Sequence, residues 1–378
     1  MAGPLSGLRI IEMVGIGPGP FAGMMLADMG AEVIAVDRVG GGGIGDLPVD
    51  INRRGKKSIR VDMKQVDGVA VVRALARSAD GLFEGFRPGV MERTGLGPDV
   101  LLGDNPALVY GRMTGYGQTG PLAGRAGHDI NYAALAGALY SIGPADGPPT
   151  VPLNLVADYG GGGMMLVAGL LGGLLQAKTS GQGQVVDVSM TEGASLLMSV
   201  FHSLRASGLW SEARGVNLLD GGAHFYGTYE TSDGGFMAVG AIEPQFMAEF
   251  LQLMDLPQGW LSAQMSPSAW PEKKAALAAR FKAHPRAHWQ AVFEGSDACV
   301  SPVLPFWEAH DHPQAQARNS FVTVDGLPQP APAPRFGETP ADTPAPPVAR
   351  GTNTDSILKD LGYDAATCDT LRASGVIA

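Results

Sequence analysis

Residues 8–36 read LRIIEMVGIGPGPFAGMMLADMGAEVIAV, and this stretch decides the fold of the chain. An apolar run over residues 8–13 ends in glycines and prolines, and residues 21–29 then carry apolar side chains at helical spacing. A second strand-like run covers residues 32–36. Two strands joined through a helix run parallel, because only a long crossover returns the chain to the starting edge of the sheet. The stretch therefore predicts a β-α-β unit and a parallel sheet.

The turn between the first strand and its helix reads Gly15-Ile16-Gly17-Pro18-Gly19-Pro20. It departs from the dinucleotide-binding pattern G-x-G-x-x-G, and its prolines stiffen the loop. Asp37 ends the second strand and could hold a ribose hydroxyl, but Arg38 follows it directly. We expect a nucleotide-type sheet whose ligand is nucleotide-like without being a nicotinamide dinucleotide.

Strands and helices continue to alternate up to about residue 205. We predict further strands at residues 58–62, 81–83, 108–113 and 184–189, and helices at residues 66–76, 128–139, 162–176 and 191–209. Such alternation is typical of an α/β protein built on a doubly wound parallel sheet. The fold class that we expect is therefore α/β, with a large Rossmann-like domain.

The second half of the chain has a different pattern of predicted elements. Short antiparallel strands are predicted within residues 221–239, and helices at residues 243–254 and 271–284. Residues 326–347 are dense in proline, which predicts a semi-rigid extended strap. Helical spacing at residues 354–362 and 365–374 indicates that the chain then returns to the first domain. The resulting assignment is a large domain at 1–205 and 330–378, a smaller α+β domain at 222–320, and connectors at 206–221 and 321–350.

Composition excludes several functional classes. The chain has 378 residues, enough for two domains, and a formal net charge of −10 without a basic tract, so nucleic acid is not expected as a partner. Cys299 and Cys368 are isolated thiols, which form neither a disulfide framework nor a metal cluster. We therefore expect a reducing, cytoplasmic location and no metal. The histidines that lack a metal-ligand spacing are His202, His224, His284, His288, His310 and His312.

No segment predicts a membrane anchor. The first residues lack a basic stretch followed by an apolar one, and the last three residues are not a peroxisomal signal. The longest apolar stretch, residues 164–175, is interrupted by Gly169, Gly172 and Gly173 and is too short to cross a bilayer. We expect a buried core helix there and no membrane partner.

Two glycine-rich segments carry the candidate catalytic side chains. His128 lies in GHDINY (127–132), and Asp158 lies in NLVADY (154–159), which four glycines follow. A histidine at a helix start is kept neutral by the helix dipole and can act as a base. Each residue also has a structural explanation: His128 as a helix-start residue bonded to backbone, and Asp158 as a plain helix N-cap. The glycines favour a functional Asp158, because they let a ligand approach the carboxylate closely.

Other charged residues extend the candidate site. Glu243 in AIEPQ (241–245) is either a helix-start residue before Pro244 or a third functional group. Cations near strand ends suit a phosphate-bearing ligand, although each can also be a solvated surface charge, as we expect for Arg60 and Lys64. These cations are Arg38, Arg53, Arg54, Lys56, Lys57, Arg87 and Arg93.

Together these motifs resemble the type III CoA-transferase family. The similar segments extend over essentially the whole chain: LRIIE (8–12), GAEVI (30–34), NRRGKKS (52–58), RPGV (87–90), GP (120–121), DVSM (187–190) and LKDLG (358–362). Within them, GHDINY (127–132), DYGGG (158–162) and AIEPQF (241–246) look like the α-methylacyl-CoA racemase branch. The transferases of the family carry the aspartate but not this histidine. His224 is a departure, because the resemblance leads us to expect proline there.

The resemblance implies an interlocked homodimer whose active site lies between the large domain of one subunit and the small domain of the other. Glu243 then comes from the second subunit. The resemblance also implies that acyl-CoA is the substrate and that no separate cofactor is needed. The residues that it assigns to CoA binding are Ile16, Arg38, Val61, Asp62, Met63, Lys64, Glu84, Gly85, Phe86, Arg87, Arg93, Gly127, Asp129, Ile130, Asn131 and Tyr132.

The expected reaction is the interconversion of (2R)- and (2S)-2-methylacyl-CoA by proton transfer through an enolate. His128 and Asp158 would be the two bases, on opposite sides of the α-carbon, and Glu243 would orient the histidine. One alternative is CoA transfer, in which Asp158 attacks the thioester and forms an acyl-aspartyl anhydride. A second alternative is a CoA-binding protein without catalysis.

Overall fold

The structure is a computed structural model that describes residues 2–40 and 47–378. Contacts between residues divide the chain into two compact units. The large unit comprises Met1–Ala136, Leu153–Leu197 and Gln314–Ala378, and the small unit comprises Gly137–Pro152 and Met198–Pro313. The sequence instead assigned residues 137–152 and 198–205 to the large domain, treated residues 206–221 as a connector, and extended the small domain to residue 320.

The large unit is an α/β unit built on six strands. Its strands are β1 (Arg9–Met13), β2 (Glu32–Asp37), β3 (Lys57–Arg60), β4 (Gly81–Glu84), β5 (Val109–Thr114) and β6 (Val185–Ser189). Its helices are α1 (Pro18–Asp28), α2 (Val66–Arg77), α3 (Val90–Arg93), α4 (Pro98–Asp104), α5 (Asp129–Leu135), α6 (Met165–Ser180) and α7 (Met190–Leu197). A π-helical segment, Leu155–Met164, runs directly into α6.

The six strands form one parallel sheet in the order β3-β2-β1-β4-β5-β6. From β1 the chain first builds outward through β2 and β3, and then crosses over to build β4, β5 and β6 on the other side. Ile10, Ile11 and Leu82 are fully buried, as expected for strands covered by helices on both sides. The predicted parallel sheet is confirmed, and its order reverses between β1 and β4. Ligands of open α/β sheets bind at such a reversal, beyond the carboxyl ends of the strands.

The C-terminal segment returns to the core of the large unit, as the sequence predicted. Helices α13 (Thr354–Asp360) and α14 (Ala365–Ala373) bury Ile357 and Leu371 in the cluster that also contains Val61. Val61 forms an isolated antiparallel bridge with Ile377. A short antiparallel hairpin, β10 (Phe321–Val324) and β11 (Leu327–Pro330), precedes these helices. Residues 331–349 between them contain no helix or strand.

The small unit contains an antiparallel sheet packed against helices. Its strands β7 (Tyr226–Glu230), β8 (Phe236–Gly240) and β9 (Val300–Pro302) lie in that order. Its helices are α8 (Ser199–Ala206), α9 (Pro244–Leu253), α10 (Trp270–Phe281) and α11 (Arg286–Phe293), and α12 (Pro313–Ala317) begins at its boundary. Phe250, Phe281 and Trp289 form the centre of its aromatic core. The predicted α+β character of this part of the chain therefore agrees with the observed elements.

Three predicted helices differ from the observed ones. The helix predicted at residues 128–139 ends at Leu135, and the one predicted at 191–209 is interrupted at Met198 between α7 and α8. The helix predicted to begin at residue 162 begins at Leu155, through the π-helical segment. Because of this last difference, Asp158 lies inside a helical segment and not before its start.

Candidate active site

A cavity of about 610 Å³ opens at the point where the sheet reverses its strand order. The loops that follow β1, β4 and β5 line it, together with the start of α5 and the π-helical segment. Both His128 and Asp158 line this cavity, and both belong to the large unit. The structure therefore brings the two predicted bases to one site, at the place where the sheet order predicts a ligand.

His128 is the N-cap residue of α5, so the predicted helix-start position is confirmed. Its N–H donates to Asn131 Oδ1 at 3.1 Å, and its carbonyl accepts from the N–H groups of Asn131 and Tyr132 at 2.8 and 3.2 Å. The backbone of His128 is thereby fixed to the first turn of the helix. The residue is exposed, so its imidazole remains accessible from the cavity.

The side chain of Asp129 turns away from solvent and bonds to the other catalytic segment. It is 4% exposed, and its Oδ2 accepts from the N–H groups of Ala157 and Asp158 at 2.7 and 2.8 Å. Its other oxygen, Oδ1, is buried without a hydrogen-bond partner among the described residues. The carboxylate of Asp129 therefore connects the start of α5 to the helix that carries Asp158.

The alternative explanation of Asp158, a plain helix N-cap, is wrong. The N-cap residue is Asn154, and Asp158 lies within the first turn of the π-helical segment. The N–H groups of a first helical turn have no partners inside the helix. Here Asp129 accepts two of them, so a residue far away in the sequence supplies the cap. The helix can consequently begin before Asp158, without a capping side chain at that position.

Asp158 is half-buried, and burial raises the pKa of its carboxyl group. A hydrogen bond from Asn154 Nδ2 to Oδ2, 3.4 Å long, and the proximity of His128 act in the opposite direction, whereas the charge of Asp129 raises the pKa further. A raised pKa increases the protonated fraction of the carboxyl group. Asp158 is thus suited to act as an acid as well as a base.

The glycines after Asp158 serve helix packing, and the expectation that they open the site to a ligand is wrong for Gly161 to Gly163. A Cβ on Gly161 would lie 2.6 Å from the backbone nitrogen of Ala194, and one on Gly163 would lie 2.7 Å from the ring of Phe21. On α7, a Cβ on Gly193 would lie 1.9 Å from the carbonyl oxygen of Gly161. Bare backbone thus lets α1 and α7 pack directly on the segment that carries Asp158.

Part of the predicted CoA-binding set also lines this cavity. In addition to His128, its lining includes Ile16, Gly85, Phe86, Arg87, Gly127 and Tyr132. The remaining members lie outside the lining of this cavity: Arg38, Val61, Asp62, Met63, Lys64, Glu84, Arg93, Asp129, Ile130 and Asn131. Arg38, Lys64 and Arg93 are exposed, so their side chains are accessible to a ligand that extends beyond the cavity.

Four members of that set are buried, namely Val61, Glu84, Asp129 and Tyr132. Val61 is fully buried in the core of the large unit, so only its backbone could contact a ligand. Glu84 is 1% exposed, and it accepts from Arg112 Nε at 3.0 Å and from the N–H of Phe86 at 2.7 Å. Burial raises the pKa of Glu84, although these hydrogen bonds oppose the shift. The carboxylate of Glu84 therefore stabilises the loop of Gly85 and Phe86 by accepting the hydrogen bond from the N–H of Phe86.

Most cations that the sequence offered for phosphate binding have acidic partners instead. Arg53 pairs with Asp37 at 2.7 Å, and Ser58 also donates to Asp37 at 2.7 Å. Asp37 is buried in this network and is not placed to hold a ribose hydroxyl. The other pairs are Arg54 with Asp28, Lys56 with Glu12 and Lys57 with Glu32, each at 2.5 Å.

Arg87 and Arg125 are the two cations in the lining of the cavity, and both are exposed. Among the described residues, neither forms a side-chain hydrogen bond or ion pair. Arg125 and Asn154 were not among the site residues predicted from the sequence. The sequence feature that could have identified them is their position three and four residues before His128 and Asp158, respectively.

Glu243 belongs to the small unit. It is the N-cap residue of α9 with Pro244 at the first helical position, as its structural explanation predicted. Its side chain is exposed and makes no hydrogen bond among the described residues. His224, in the same unit, is fully buried, and its ring lies edge-on to Phe225 and Trp260.

Known proteins resemble this chain over almost its whole length. Residues 5–354 match the model of CoA-transferase family III. The chain belongs to CoA-transferase family III. It is 48% identical to an alpha-methylacyl-CoA racemase of Mus musculus, covering 95% of this chain and 93% of that protein. It is 43% identical to an alpha-methylacyl-CoA racemase of Homo sapiens, covering 99% and 97%. The resemblance to the racemase branch of the family is therefore confirmed.

A solved structure confirms the α/β fold of this family member. A CAIB/BAIF family protein from Brucella suis superimposes with a TM-score of 0.81 and 25% identity, covering 96% of this chain and 100% of that one. The family also contains transferases that are more distant relatives. The succinyl-CoA:glutarate CoA-transferase of Mus musculus is 31% identical, over 99% of this chain and 90% of that protein.

Among the residues that the structure describes, one helix, Leu155–Ser180, is long and apolar enough to cross a membrane by length and composition alone. A core helix of an ordinary α/β protein can meet the same test, and this helix packs against β5 and β6. Within the described parts of the chain, no group of three or more histidine, cysteine or acidic residues is placed to hold a metal ion.

Proposed function

We propose that this chain is an α-methylacyl-CoA racemase that interconverts (2R)- and (2S)-2-methylacyl-CoA thioesters. The observation that carries the proposal is that His128 and Asp158 line one cavity at the carboxyl edge of the sheet. Relatives at 48% and 43% identity that are named alpha-methylacyl-CoA racemase support it. The thioester carbonyl can accept the electron pair of the α-carbon, so the reaction needs no separate cofactor.

In the proposed mechanism one base removes the α-proton and the other, already protonated, returns a proton to the opposite face. The C–H electron pair moves into the thioester as an enolate and then forms the new C–H bond. The raised pKa of Asp158 supports its use as the acid in one direction. N–H groups at the start of α5, next to His128, are candidates to stabilise the enolate oxygen.

Binding of the CoA moiety is proposed along the same edge of the sheet. Arg87 and Arg125 line the cavity and are available for phosphate groups. Arg38, Lys64 and Arg93 are exposed and suit a nucleotide end that extends beyond the cavity. The lining also contains Met13, Met113 and Met190, which are flexible apolar side chains that suit an acyl chain of variable shape.

We further propose an interlocked homodimer in which Glu243 of the partner subunit orients His128. Two observations support a partner. The side chain of Glu243 is exposed and makes no hydrogen bond among the described residues. In addition, the end of the π-helical segment and α6 together expose an apolar stripe of Met164, Ala168, Gly172 and Leu175. An exposed stripe of this kind favours burial against another chain.

The proposal is tested by incubating one epimer of 2-methylacyl-CoA with the protein and following the epimer ratio by chiral chromatography. A racemase converts either starting epimer to the same mixture. Persistence of the starting epimer, at a protein concentration that gives measurable binding, contradicts the proposal. CoA transfer is tested in parallel by adding a free carboxylic acid, because a transferase forms a new thioester through an acyl-Asp158 anhydride whereas a racemase does not.

A cytoplasmic location completes the proposal. Cys299 and Cys368 are both free thiols, which reducing compartments favour. Cell fractionation with an antibody against the full chain tests it, and recovery in a membrane or organelle fraction contradicts it.

A further inference from the structure

We propose that Asp129 is a positioning residue that fixes the distance between the two bases and supplies a negative charge to Asp158. The inference rests on the proposed racemase function and extends it. It assigns to the Asp129 side chain a task that differs from contact with CoA.

The geometry separates Asp129 from an ordinary helix-start acid. The residue follows His128 directly, yet its carboxylate bonds to neither that residue nor its own helix. Its Oδ2 accepts from the N–H groups of Ala157 and Asp158 at 2.7 and 2.8 Å. One residue thus joins the backbone that holds one base to the backbone that holds the other. Because the carboxylate is 4% exposed, water cannot readily replace these hydrogen bonds if they are lost.

The unpartnered oxygen of Asp129 is the second observation. A buried carboxylate oxygen without a hydrogen bond is costly, and the described residues provide no partner for Oδ1. The oxygen of an asparagine side chain would accept hydrogen bonds from the same two N–H groups, and the side chain would fill the same space. The chain nevertheless carries a full negative charge here, beside Asp158. A functional use of that charge explains why the site retains it.

The charge acts on Asp158 in a defined direction. Burial is the largest cause of the raised pKa of Asp158, and the proximity of Asp129 adds to it, whereas Asn154 and His128 oppose it. Tyr132, one turn along α5, is the remaining titratable group that interacts with Asp158. Helices α1 and α7 also pack on this segment, and within the described residues they bring no charged group that influences Asp158. Removal of the Asp129 charge must therefore lower the pKa of Asp158.

This direction gives a signature in the pH dependence of the rate. The two bases share one proton in the active form, so activity falls when the pair binds a second proton or loses the first. Loss of the Asp129 charge weakens the protonation of Asp158. The limb of the kcat profile that Asp158 controls should therefore move to lower pH in Asp129→Asn. The amide keeps the two hydrogen bonds, so its Tm and its KM should stay close to those of the wild type.

The experiment compares wild type, Asp129→Asn, Asp129→Ala and a control, Asp364→Ala. Asp364 also caps a helix, since it accepts from the N–H of Thr367 at 2.8 Å, but this hydrogen bond is exposed to solvent at the start of α14. The rate of epimer interconversion and Tm are measured for each protein across the pH range. We expect Asp129→Ala to lose about 10²-fold in kcat, because displacement of a catalytic group by about 1 Å has a cost of this size. The control should lose thermal stability without a change in pH profile.

The outcomes distinguish the inference from the proposed function. If wild type shows no interconversion, the racemase proposal fails and the role of Asp129 fails with it. If wild type is active and Asp129→Asn keeps the wild-type pH profile, the electrostatic role is refuted although the racemase proposal stands. If Asp129→Ala folds and keeps its kcat, the positioning role is refuted. A purely structural Asp129 predicts that both variants lose folded protein in proportion to activity, with an unmoved pH profile.

Discussion

The contact between Gly161 and Gly193 links helix packing to catalysis, and Gly193→Ala tests that link. A Cβ at Gly193 would lie 1.9 Å from the carbonyl oxygen of Gly161, whereas real Cβ atoms essentially never approach within 3.0 Å of another atom. The two segments must therefore separate by about 1 Å. Overpacking of this kind costs about 1–3 kcal/mol of folding free energy, so Tm should fall by several degrees.

The same displacement should reduce activity more than it reduces binding. Gly161 follows Asp158 by less than one turn, so a shift of about 1 Å moves the carboxylate relative to His128 and should cost about 10²-fold in kcat. The assay combines thermal unfolding with steady-state epimer interconversion. The matched control is Gly103→Ala at an exposed position of α4, where a Cβ meets nothing within 4 Å. Alanine there should raise stability by up to about 1 kcal/mol and leave kcat unchanged. If Gly193→Ala retains wild-type Tm and kcat, the packing account of these glycines is wrong.

Three further predictions concern pH, binding and assembly. Burial lowers the pKa of His224 to about 4 from 6.5, so its contribution to stability is complete above pH 6.5 and is lost as the pH falls toward 4. The contribution of His224 should thus make the free energy of unfolding about 2 kcal/mol smaller at pH 5 than at pH 7.5. In His224→Leu, denaturant unfolding should show that this pH-dependent difference is absent. An equal pH dependence in both proteins contradicts this prediction. Arg87→Ala and Arg125→Ala should each raise KM for acyl-CoA about tenfold with little change in kcat, and a fall in kcat at constant KM would argue against phosphate binding. If the site uses both subunits, co-expression of His128→Ala chains with Glu243→Ala chains should restore about one quarter of wild-type activity. Half of the dimers are then mixed, and each mixed dimer has one intact site of two. No restoration of activity contradicts a shared site.

Local sequence patterns were sufficient for the parts of the fold that local chemistry determines. The β-α-β unit follows from the periodicity of residues 8–36, and the helix start at His128 follows from its polar segment. The return of α13 and α14 to the large unit could also be predicted, because the proline-dense strap must end in packed helices. The first two features depend on residues that are close together in the chain, whereas the third joins the C-terminal helices to the distant core of the large unit.

The environment of Asp158 could not be predicted in this way, because it depends on contacts between distant residues. An aspartate before four glycines has the local pattern of a helix N-cap. The actual cap is the carboxylate of Asp129, and the glycines match Gly193, Ala194 and Phe21 on other helices. The basic segment at residues 53–57 was ambiguous for the same reason. Its acidic partners lie on other elements of the sheet and helices.

The most direct test of the central claim is exchange of the α-proton with solvent deuterium in His128→Ala and Asp158→Ala. Each (2R)- and (2S)-2-methylacyl-CoA is incubated with wild type and with both variants in D₂O, and deuterium at the α-carbon is measured by mass spectrometry. The account predicts exchange from both epimers in wild type. In each variant, exchange should fall by about 10²-fold or more for the epimer whose α-proton faces the missing base, and the two variants should differ in which epimer is affected. Exchange at the wild-type rate from both epimers in either variant would contradict a mechanism in which His128 and Asp158 act as a pair.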